Sequence, residues 1–306
     1  MRDEHHAGEQ LGGDGQAHQQ RISGNAETRA FFAGEQDGRP HRAEVSEAIA
    51  SGIPAVAAER GDRRRVLAAP CDVWARLPLP VAPGGEWNSS VATDVLGRVV
   101  EVVSGQTLDR FFAERILQPL AMSDTGFSVP EADHGRLAAL YAVAPGIPGP
   151  IRYDLMGDQA LKPPTLLSGG GGLVSTIADY HRFAQLLLGR GELDGVRLLS
   201  PRTIDLMASN HLPGGADLEA VGRPLFAETT FIGVGFGLGF SVLLDPVVNK
   251  TLGNRGEFAW GGAASTAFWV DPVDQVVAIF MTQLLPSSTH PIRSELRQLV
   301  YQAILD

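Results

Sequence analysis

The stretch FAWGGAASTAFWVDPVDQVVAIFMTQ, residues 258–283, decides the fold class. It contains three runs rich in aromatic and β-branched residues, which are typical of strands. Pro272-Val273-Asp274 separates the last two runs and predicts a tight hairpin connection. Upstream, GFGLGFSVLLD (residues 235–245) adds further β-rich sequence. We therefore expect an antiparallel sheet in the C-terminal third of the chain.

Helices are predicted both before and after this sheet along the chain. Downstream, RSELRQLVYQAIL (residues 293–305) predicts an amphipathic helix, whose apolar face would be formed by Leu296, Leu299, Val300 and Ile304. Upstream, helical spacing and capping residues predict four helices. The first runs from about Ser90 to Ser104, carries Val91, Val95, Val99 and Val102 at helical spacing, and ends at Gly105. The second covers residues 107–120 and is capped by Thr107. The other two are 175–191, capped by Ser175 or Thr176, and 200–210, capped by Ser200. Helices followed by antiparallel strands and a last helix indicate an α+β fold.

The composition excludes several classes of protein. The 306 residues are 44% hydrophobic and 20% charged, as in ordinary globular proteins. The formal net charge is -10 and no basic stripe is visible, so we predict no nucleic-acid binding. No run of about 18 apolar residues occurs, so we predict no membrane span. The first residues lack an apolar segment, which predicts no signal peptide and a cytoplasmic location.

Residues 1–70 differ in character from residues 71–306, which form the predicted globular domain. Low hydrophobicity and mixed charge predict a weakly ordered head, and AEVSEAIASGIPAVAAE (residues 43–59) is its one plausible element. The pair His5–His6 has no third ligand at a sensible spacing, so we predict no metal site. The abrupt change near Cys71 suggests the hypothesis of a shifted reading frame in the head.

No cofactor motif is evident in the sequence. Gly233, Gly235, Gly237 and Gly239 alternate with other residues, which is not the spacing of a nucleotide-binding loop. We therefore predict no cofactor.

Three segments carry a resemblance to a known family. They are WNSSVATDVLGRVVEVVSGQTLDRFFAERILQPLAMSDTGF (87–127), SGGGGLVSTIADYHRFAQLLLGRGELDGVRLLSPRTIDLM (168–207) and residues 258–283. The chain resembles the penicillin-recognising serine hydrolases, the group of the β-lactamases and family VIII esterases. The resemblance implies a β-lactamase/transpeptidase-like fold and an acyl-enzyme mechanism. It also implies a serine activated by lysine in Ser-x-x-Lys, a tyrosine, and a strand that carries Lys-Thr-Gly or Trp-Gly-Gly.

One family motif is present. Trp260, Gly261 and Gly262 match the Trp-Gly-Gly of the esterase branch, and the resemblance implies that they line a substrate pocket. It also implies that the backbone N–H of Ala263 faces the oxyanion of the acyl intermediate. An alternative stays open, in which the glycine pair relieves crowding beside another element.

Two other motifs are damaged or absent. Ser89 occupies the position of the family tyrosine, and Ser89 or Ser90 could simply cap the following helix. Lys162 and Lys250 are the only lysines, and neither follows a serine by three residues. No nucleophile can therefore be identified. The family's N-terminal strands and nucleophile helix are expected to be missing.

Other candidate residues give weaker signals. Ser168 begins a glycine run, but this run does not match a nucleophile elbow, so a scaffold role is favoured. His181 and His211 lack a convincing nucleophile and acid nearby.

Three hypotheses on function follow. The first is a degenerate or truncated serine hydrolase of the esterase or β-lactamase type with impaired catalysis. The second is a non-catalytic protein that binds a small ester or lactam-like compound in the Trp-Gly-Gly pocket. The third is a hydrolase that uses an unrecognised serine. A sheet without its N-terminal strands would expose an edge, which predicts self-association.

Overall fold

The computed structural model describes residues 67–79, 81–89, 91–222 and 231–304. The predicted element at 43–59, the His5–His6 pair and Ser90 all lie outside the described residues. The same holds for the region in which the family's N-terminal strands and nucleophile helix would be sought. The domain boundary between residues 70 and 71 therefore stays a prediction.

The helices are concentrated ahead of the main sheet. In chain order they are α1 (Ala68–Trp74), α2 (Ala92–Ser104), α3 (Leu108–Phe112), α4 (Asp154–Gly157), α5 (Ile177–Leu188), α6 (Pro201–Met207), α7 (Leu218–Val221), α8 (Pro246–Asn249) and α9 (Ile292–Gln302). A π-helical turn, Ala113–Leu117, continues α3. Short 3₁₀ segments lie at Glu131–Arg136, Asp158–Leu161, Pro213–Gly215 and Ser287–Thr289.

A five-stranded antiparallel sheet follows, as the sequence predicts. Its strands are β5 (Val234–Phe236), β6 (Ser241–Leu243), β7 (Phe258–Gly261), β8 (Ala267–Asp271) and β9 (Val276–Phe280), in the spatial order β5-β6-β7-β8-β9. Smaller sheets join β1 (Tyr141–Ala142) to β2 (Ile151–Arg152) and β10 (Leu284–Leu285), and β3 (Glu192–Leu193) to β4 (Val196–Arg197). The α+β prediction is confirmed.

The side chains of the central strands alternate between two environments, as the pleat requires. Those on the front face form the main core with α5. They are Val242 of β6, Phe258 of β7 and Phe268 and Val270 of β8, which cluster with Ala184 and Leu187 of α5. On the back face, Trp269 and Asp271 of β8 meet α9 instead. The sheet is therefore a layer between the helical region and the last helix.

The predicted caps are partly confirmed. Thr176 is the cap of α5, where its hydroxyl accepts the N–H of Asp179, and Ser200 accepts the N–H of Thr203 in α6. Thr107 occupies the cap position of α3, but its side chain makes no capping hydrogen bond.

The orientation of α2 differs from the expected one. The helix ends at Gly105, in the left-handed region at φ 70°, as predicted. Three members of its predicted apolar row are nevertheless exposed, from 41% at Val95 to 64% at Val102, and the neighbouring Val103 is 83% exposed. Asp94, Gly97 and Glu101 face inward instead. Gly97 permits this packing, because an added Cβ would lie only 3.0 Å from Leu108 and 3.2 Å from Leu67.

A polar contact attaches the SDTGF turn (residues 123–127) to α5. The buried carboxylate of Asp179 accepts the backbone N–H of Asp124 at 2.7 Å and the hydroxyl of Thr125 at 2.8 Å. Thr125 Oγ1 also lies 2.8 Å from Ser175 Oγ. These bonds join the first and second of the three resembling segments.

Helix α9 is held to the sheet by two buried carboxylates. Glu257 and Asp271 are 1% and 0% exposed. Arg297 forms an ion pair with Glu257 and lies 5.2 Å above the ring of Trp269. The Tyr301 hydroxyl lies between the two carboxylates, 2.7 Å from Asp271 Oδ2 and in hydrogen-bond contact with Glu257. Burial raises the pKa of Glu257 in spite of Arg297, so this carboxylate depends strongly on its donors.

The apolar face predicted for α9 is correct only in part. Leu296, Val300 and Ile304 are half-buried, whereas Leu299 is 58% exposed. The charged and phenolic side chains of the helix, rather than its leucines, make its most buried contacts with the sheet.

The Tyr301 contact provides a stability test. Replacing Tyr301 by Phe removes the hydroxyl that two buried carboxylates share, so we expect a loss of about 1–3 kcal/mol in the free energy of unfolding. Urea unfolding followed by circular dichroism measures this loss. The matched control is Tyr141→Phe on exposed β1, which should change stability by less than about 0.5 kcal/mol. Equal stability of the two variants would contradict the assigned role.

Candidate active site

The Trp-Gly-Gly motif lies at the end of β7. Trp260 pairs with Phe268 of β8, and Gly261 pairs with Ala267. Trp260, Gly261 and Gly262 are all half-buried, whereas Ala263 is exposed at the start of the turn. The motif therefore lies where the hairpin leaves the sheet, with its first side chain on the front face.

Aromatic side chains bring two of the resembling segments together at this point. The Trp87 ring lies 4.8 Å from Phe236 and 6.0 Å from Trp260, and Phe236 lies 5.2 Å from Trp260. The interplanar angles of 56–74° are those of tilted and edge-to-face contacts. The backbone N–H of Trp87 donates to Val221 O at 2.7 Å, which fixes the approach of this segment. We call Trp87, Phe236 and Trp260 the aromatic wall.

Two members of this wall carry no functional signal in the sequence. Trp87 lies two residues before Ser89 at the start of a resembling segment, whereas Phe236 lies in a glycine-rich run without a recognisable signal. Contacts between residues so distant in sequence can be identified only once the strand order is known.

Both glycines of the motif are needed for close packing. An added Cβ on Gly261 would lie 2.7 Å from the guanidinium carbon of Arg293, and one on Gly262 would lie 2.5 Å from Thr266 Oγ1. The interpretation of a glycine pair beside a crowded element therefore has direct support. This crowding does not exclude a substrate pocket on the front face of the sheet, because the crowded contact at Gly261 is with α9, behind the sheet.

The backbone N–H of Ala263 is available to a ligand. Gly262 N donates to Thr266 O at 3.0 Å and Ser265 N donates to Gly262 O at 3.1 Å, so the turn is closed on both sides of Ala263. Ala263 N itself donates to no acceptor within the described part of the chain. An exposed, fixed N–H is the kind of donor that stabilises an oxyanion.

Ser89 does not replace the missing tyrosine by any visible contact. It is exposed, and its hydroxyl has no hydrogen bond within the described ranges. The interpretation of Ser89 as a helix cap is wrong, because the N-cap of α2 is Val91 and takes no side-chain bond.

Ser168 has the contacts of a scaffold residue. Its hydroxyl donates to Asp94 Oδ1 at 2.6 Å and accepts the N–H of Gly171 at 3.1 Å. The next glycine lies against α2, since a Cβ on Gly169 would come within 2.5 Å of Thr93 O. The glycine run therefore lets the loop approach the helix, and Ser168 fastens it to the buried Asp94.

No activated serine is found within the described residues. Lys162 is exposed in a loop, and Lys250 ends α8 in the left-handed conformation at φ 60°. Neither amine bonds to a serine hydroxyl there. Of the histidines, His181 contacts Gln185 at 3.1 Å and His211 contacts Leu206 O at 2.8 Å, so neither faces a nucleophile.

Residues 67–79, 81–89, 91–222 and 231–304 contain neither a metal-binding cluster nor a helix that could span a membrane. No group of three or more His, Cys, Asp or Glu side chains in these ranges is arranged to hold a metal ion. None of the helices there combines the length and apolar character required to cross a bilayer.

Comparison with protein families gives a match over most of the chain. A family model described as "Beta-lactamase" matches residues 41–302, so the match begins ahead of the described residues. An uncharacterized protein of Mycobacterium tuberculosis is 37% identical over 222 residues, which cover 70% of this chain and 54% of that protein. Esterase EstB of Burkholderia gladioli is 30% identical over 247 residues, covering 74% and 57%. The chain thus spans about half the length of the curated relatives it matches.

Solved structures agree with the family model. EstCE1, a hydrolase with promiscuous acyltransferase activity, superposes with a TM-score of 0.64 at 28% identity, and the match covers 77% of this chain and 61% of EstCE1. Simvastatin synthase LovD of Aspergillus terreus gives a TM-score of 0.65 at 23% identity, with coverages of 85% and 64%, and supports the fold alone. The β-lactamase/transpeptidase-like fold implied by the resemblance is confirmed.

Ser89 and Ser168, the two candidate serines that lie within the described ranges, provide a test of their roles. Ser168→Ala removes a donor to the buried Asp94, so we expect a loss of about 1–3 kcal/mol in stability. Ser89→Ala, at an exposed site, should change stability by less than about 0.5 kcal/mol. Thermal and urea unfolding measure both values. A neutral Ser168→Ala would show that the Asp94 bond has no structural importance.

Proposed function

The chain belongs to the β-lactamase family, and from this premise we propose that it is a catalytically impaired serine hydrolase or acyltransferase that retains the acyl pocket. The observation that carries the proposal is an asymmetry. The substrate-binding half of the site is represented by the aromatic wall and the Ala263 N–H. In the reactive half, no serine is paired with an amine among the described residues, and the full sequence contains no Ser-x-x-Lys.

The chemistry explains why the missing pair matters. A serine hydroxyl is a weak nucleophile until a neighbouring base takes its proton. Loss of the nucleophile from a serine hydrolase can lower turnover by roughly 10⁶-fold. Ser89 cannot replace a tyrosine in proton transfer, because its hydroxyl is less acidic than a phenol and the side chain is shorter.

A second candidate function is non-catalytic binding of a small acyl compound. It is favoured by the apolar surface of the aromatic wall and by the Ala263 N–H, which donates to no acceptor among the described residues. Relatives named lovastatin esterase and monacolin J acid methylbutanoyltransferase act, by those names, on acyl compounds. We therefore propose a short-chain ester or a related acyl compound, lactams included, as the ligand. A net charge of -10 argues against nucleic acid as the partner.

Reaction with an active-site probe tests the impairment. We expect no covalent adduct after incubation of the whole chain with a fluorophosphonate, and no hydrolysis of nitrocefin. Intact-protein mass spectrometry and absorbance measure these outcomes, with the esterase EstB of Burkholderia gladioli as the positive control for the fluorophosphonate adduct. Stoichiometric labelling of one serine would overturn the proposal and favour the hydrolase with an unrecognised serine. Alanine substitution of Ser89, Ser90 and Ser168 would then locate that serine.

Equilibrium binding separates the binding protein from a chain without any function. Saturable binding of a short ester, without turnover and weakened by Trp260→Ala, is the result expected of a retained pocket. Trp87→Phe keeps most of the apolar wall and serves as the conservative comparison. Absence of saturable binding would leave the binding hypothesis without support.

We also propose self-association through apolar surface and the sheet edge. In the described part of the chain, β9 is the last strand of its sheet and the apolar row of α2 is exposed. Unpaired strand edges and exposed apolar patches both promote association.

Light scattering after size exclusion tests this proposal. We expect a mass above the 32.6 kDa of one chain, decreasing towards it in Ala278→Lys, which places a charge on β9. Val103→Glu tests α2 in the same way at an exposed position. Circular dichroism verifies that each variant is folded. A monodisperse monomer with a cooperative, high-temperature melt would contradict the proposal.

A further inference from the structure

We propose that Arg293, a residue of α9 behind the sheet, sets the direction of the Ala263 N–H and is thus a positioning residue of the acyl pocket. The inference deepens the proposed function and rests on it for the role of that N–H in ligand binding. Its structural part, the orientation of one peptide group, can be tested separately.

Arg293 approaches the motif from the side opposite Trp260. Residues of α9 one and two turns further on, Arg297 and Tyr301, contact Trp269 and Asp271 on the back face. The contact of Arg293 with Gly261 lies on this side as well, because Gly261 follows Trp260 in an alternating strand. Trp260 belongs to the front face, where it packs against the main core and joins the aromatic wall.

The guanidinium of Arg293 bonds to both carbonyl groups that close the turn. Its Nη2 donates to Gly262 O at 2.7 Å and to Thr266 O at 3.1 Å. Gly262 O also accepts the N–H of Ser265 at 3.1 Å, so its two lone pairs are both engaged. The turn contributes one of these bonds by itself. Arg293 contributes the shorter, charge-assisted one.

The orientation of Ala263 follows from the geometry of the peptide group. In a trans peptide the C=O and the next N–H lie in one plane and point to opposite sides of the chain. Because Arg293 holds Gly262 O towards the back of the sheet, the Ala263 N–H of the same peptide points away from α9. It is thereby directed towards the front face, the side of Trp260, and it has no acceptor within the described ranges.

The charge of Arg293 should also strengthen this N–H as a donor. A carbonyl bonded to a cation polarises its own peptide group, so the N–H of that group becomes more positive. The sign suits a ligand oxygen with negative charge, such as a carboxylate or an ester carbonyl that is being polarised. Orientation and polarisation thus act together on the same donor.

Gly261 is the counterpart of Arg293 in this arrangement. The guanidinium carbon lies 2.7 Å from the position that a Cβ on residue 261 would take. A side chain there would displace the guanidinium and break its two bonds. The middle glycine of the motif therefore makes room for the positioning residue, which unites the two interpretations that the sequence left open.

The structural part can be measured without any ligand. In ¹⁵N-labelled whole chain, residual dipolar couplings report the direction of the Ala263 N–H relative to those of Phe268 and Val270 in β8. We expect Arg293→Met to change the Ala263 coupling while the β8 couplings stay constant, and Arg293→Lys to restore part of it. Arg202→Met, an exposed position on α6, is the matched control. An unchanged Ala263 coupling in a folded Arg293→Met variant would overturn the proposal.

A double-mutant cycle distinguishes loss of the Arg293 bonds from a general loss of packing around the turn. Gly261→Ala should reproduce the effect of Arg293→Met by displacing the guanidinium, and it should add little in the Arg293→Met background. Additive effects of the two substitutions would show that they act independently, which would also overturn the proposal.

Ligand binding tests the link to function. Butyrate is the probe, with neutral butyramide as its matched comparison. We expect butyrate to shift the Ala263 amide resonance in the wild type, and Arg293→Met to weaken that binding by about tenfold, which is the scale of one charge-assisted hydrogen bond. If neither compound binds the wild type while the couplings behave as expected, the proposed binding function fails and the positioning role stands. If butyrate binds equally to both variants, the positioning role fails alone.

Discussion

The docking of α9 onto the back of the sheet is the constraint on which the candidate site depends. Glu257 and Asp271 have almost no contact with solvent, and ionised carboxylates in such places are unfavourable unless they are paired. Arg297 and Tyr301 pair with these carboxylates. They thereby fix the rotation of α9 about its axis and its position along the sheet. Arg293, one turn before Arg297, is then placed at the Trp-Gly-Gly turn. Through one helix, a pair of buried acids thus places Arg293 against the turn that carries the Ala263 N–H.

The sheet and the main helices could be predicted because their signals are local. Aromatic and β-branched runs mark β7 to β9, and Ser200 and Thr176 mark helix starts by chemistry that acts within one turn. The orientation of α2 could not be predicted in this way. Its valines repeat at helical spacing, but the tight approach at Gly97 and the burial of Glu101 turn the opposite side inward. The side that a helix buries is decided by its neighbours, and periodicity shows only that two different faces exist.

The candidate site was predictable to the same limited extent. Trp260 and the two glycines form a contiguous motif, so a sequence pattern finds them. The aromatic wall and Arg293 are assembled from residues 87, 236, 260 and 293, and their proximity arises from strand order and helix docking. The predicted cap at Ser89 failed for a related reason, since α2 begins two residues later than its pattern suggested.

The contact between Gly261 and α9 limits how the sequence of this turn can diverge between branches of the family. A branch with Lys-Thr-Gly in place of Trp-Gly-Gly carries a β-branched residue at the middle position, which in this chain would occupy the space of the Arg293 guanidinium. Exchange of the triplet alone would therefore leave the helix and the turn in conflict. The Arg293 guanidinium would have to move away or be replaced, so a redesign of this turn has to include the last helix.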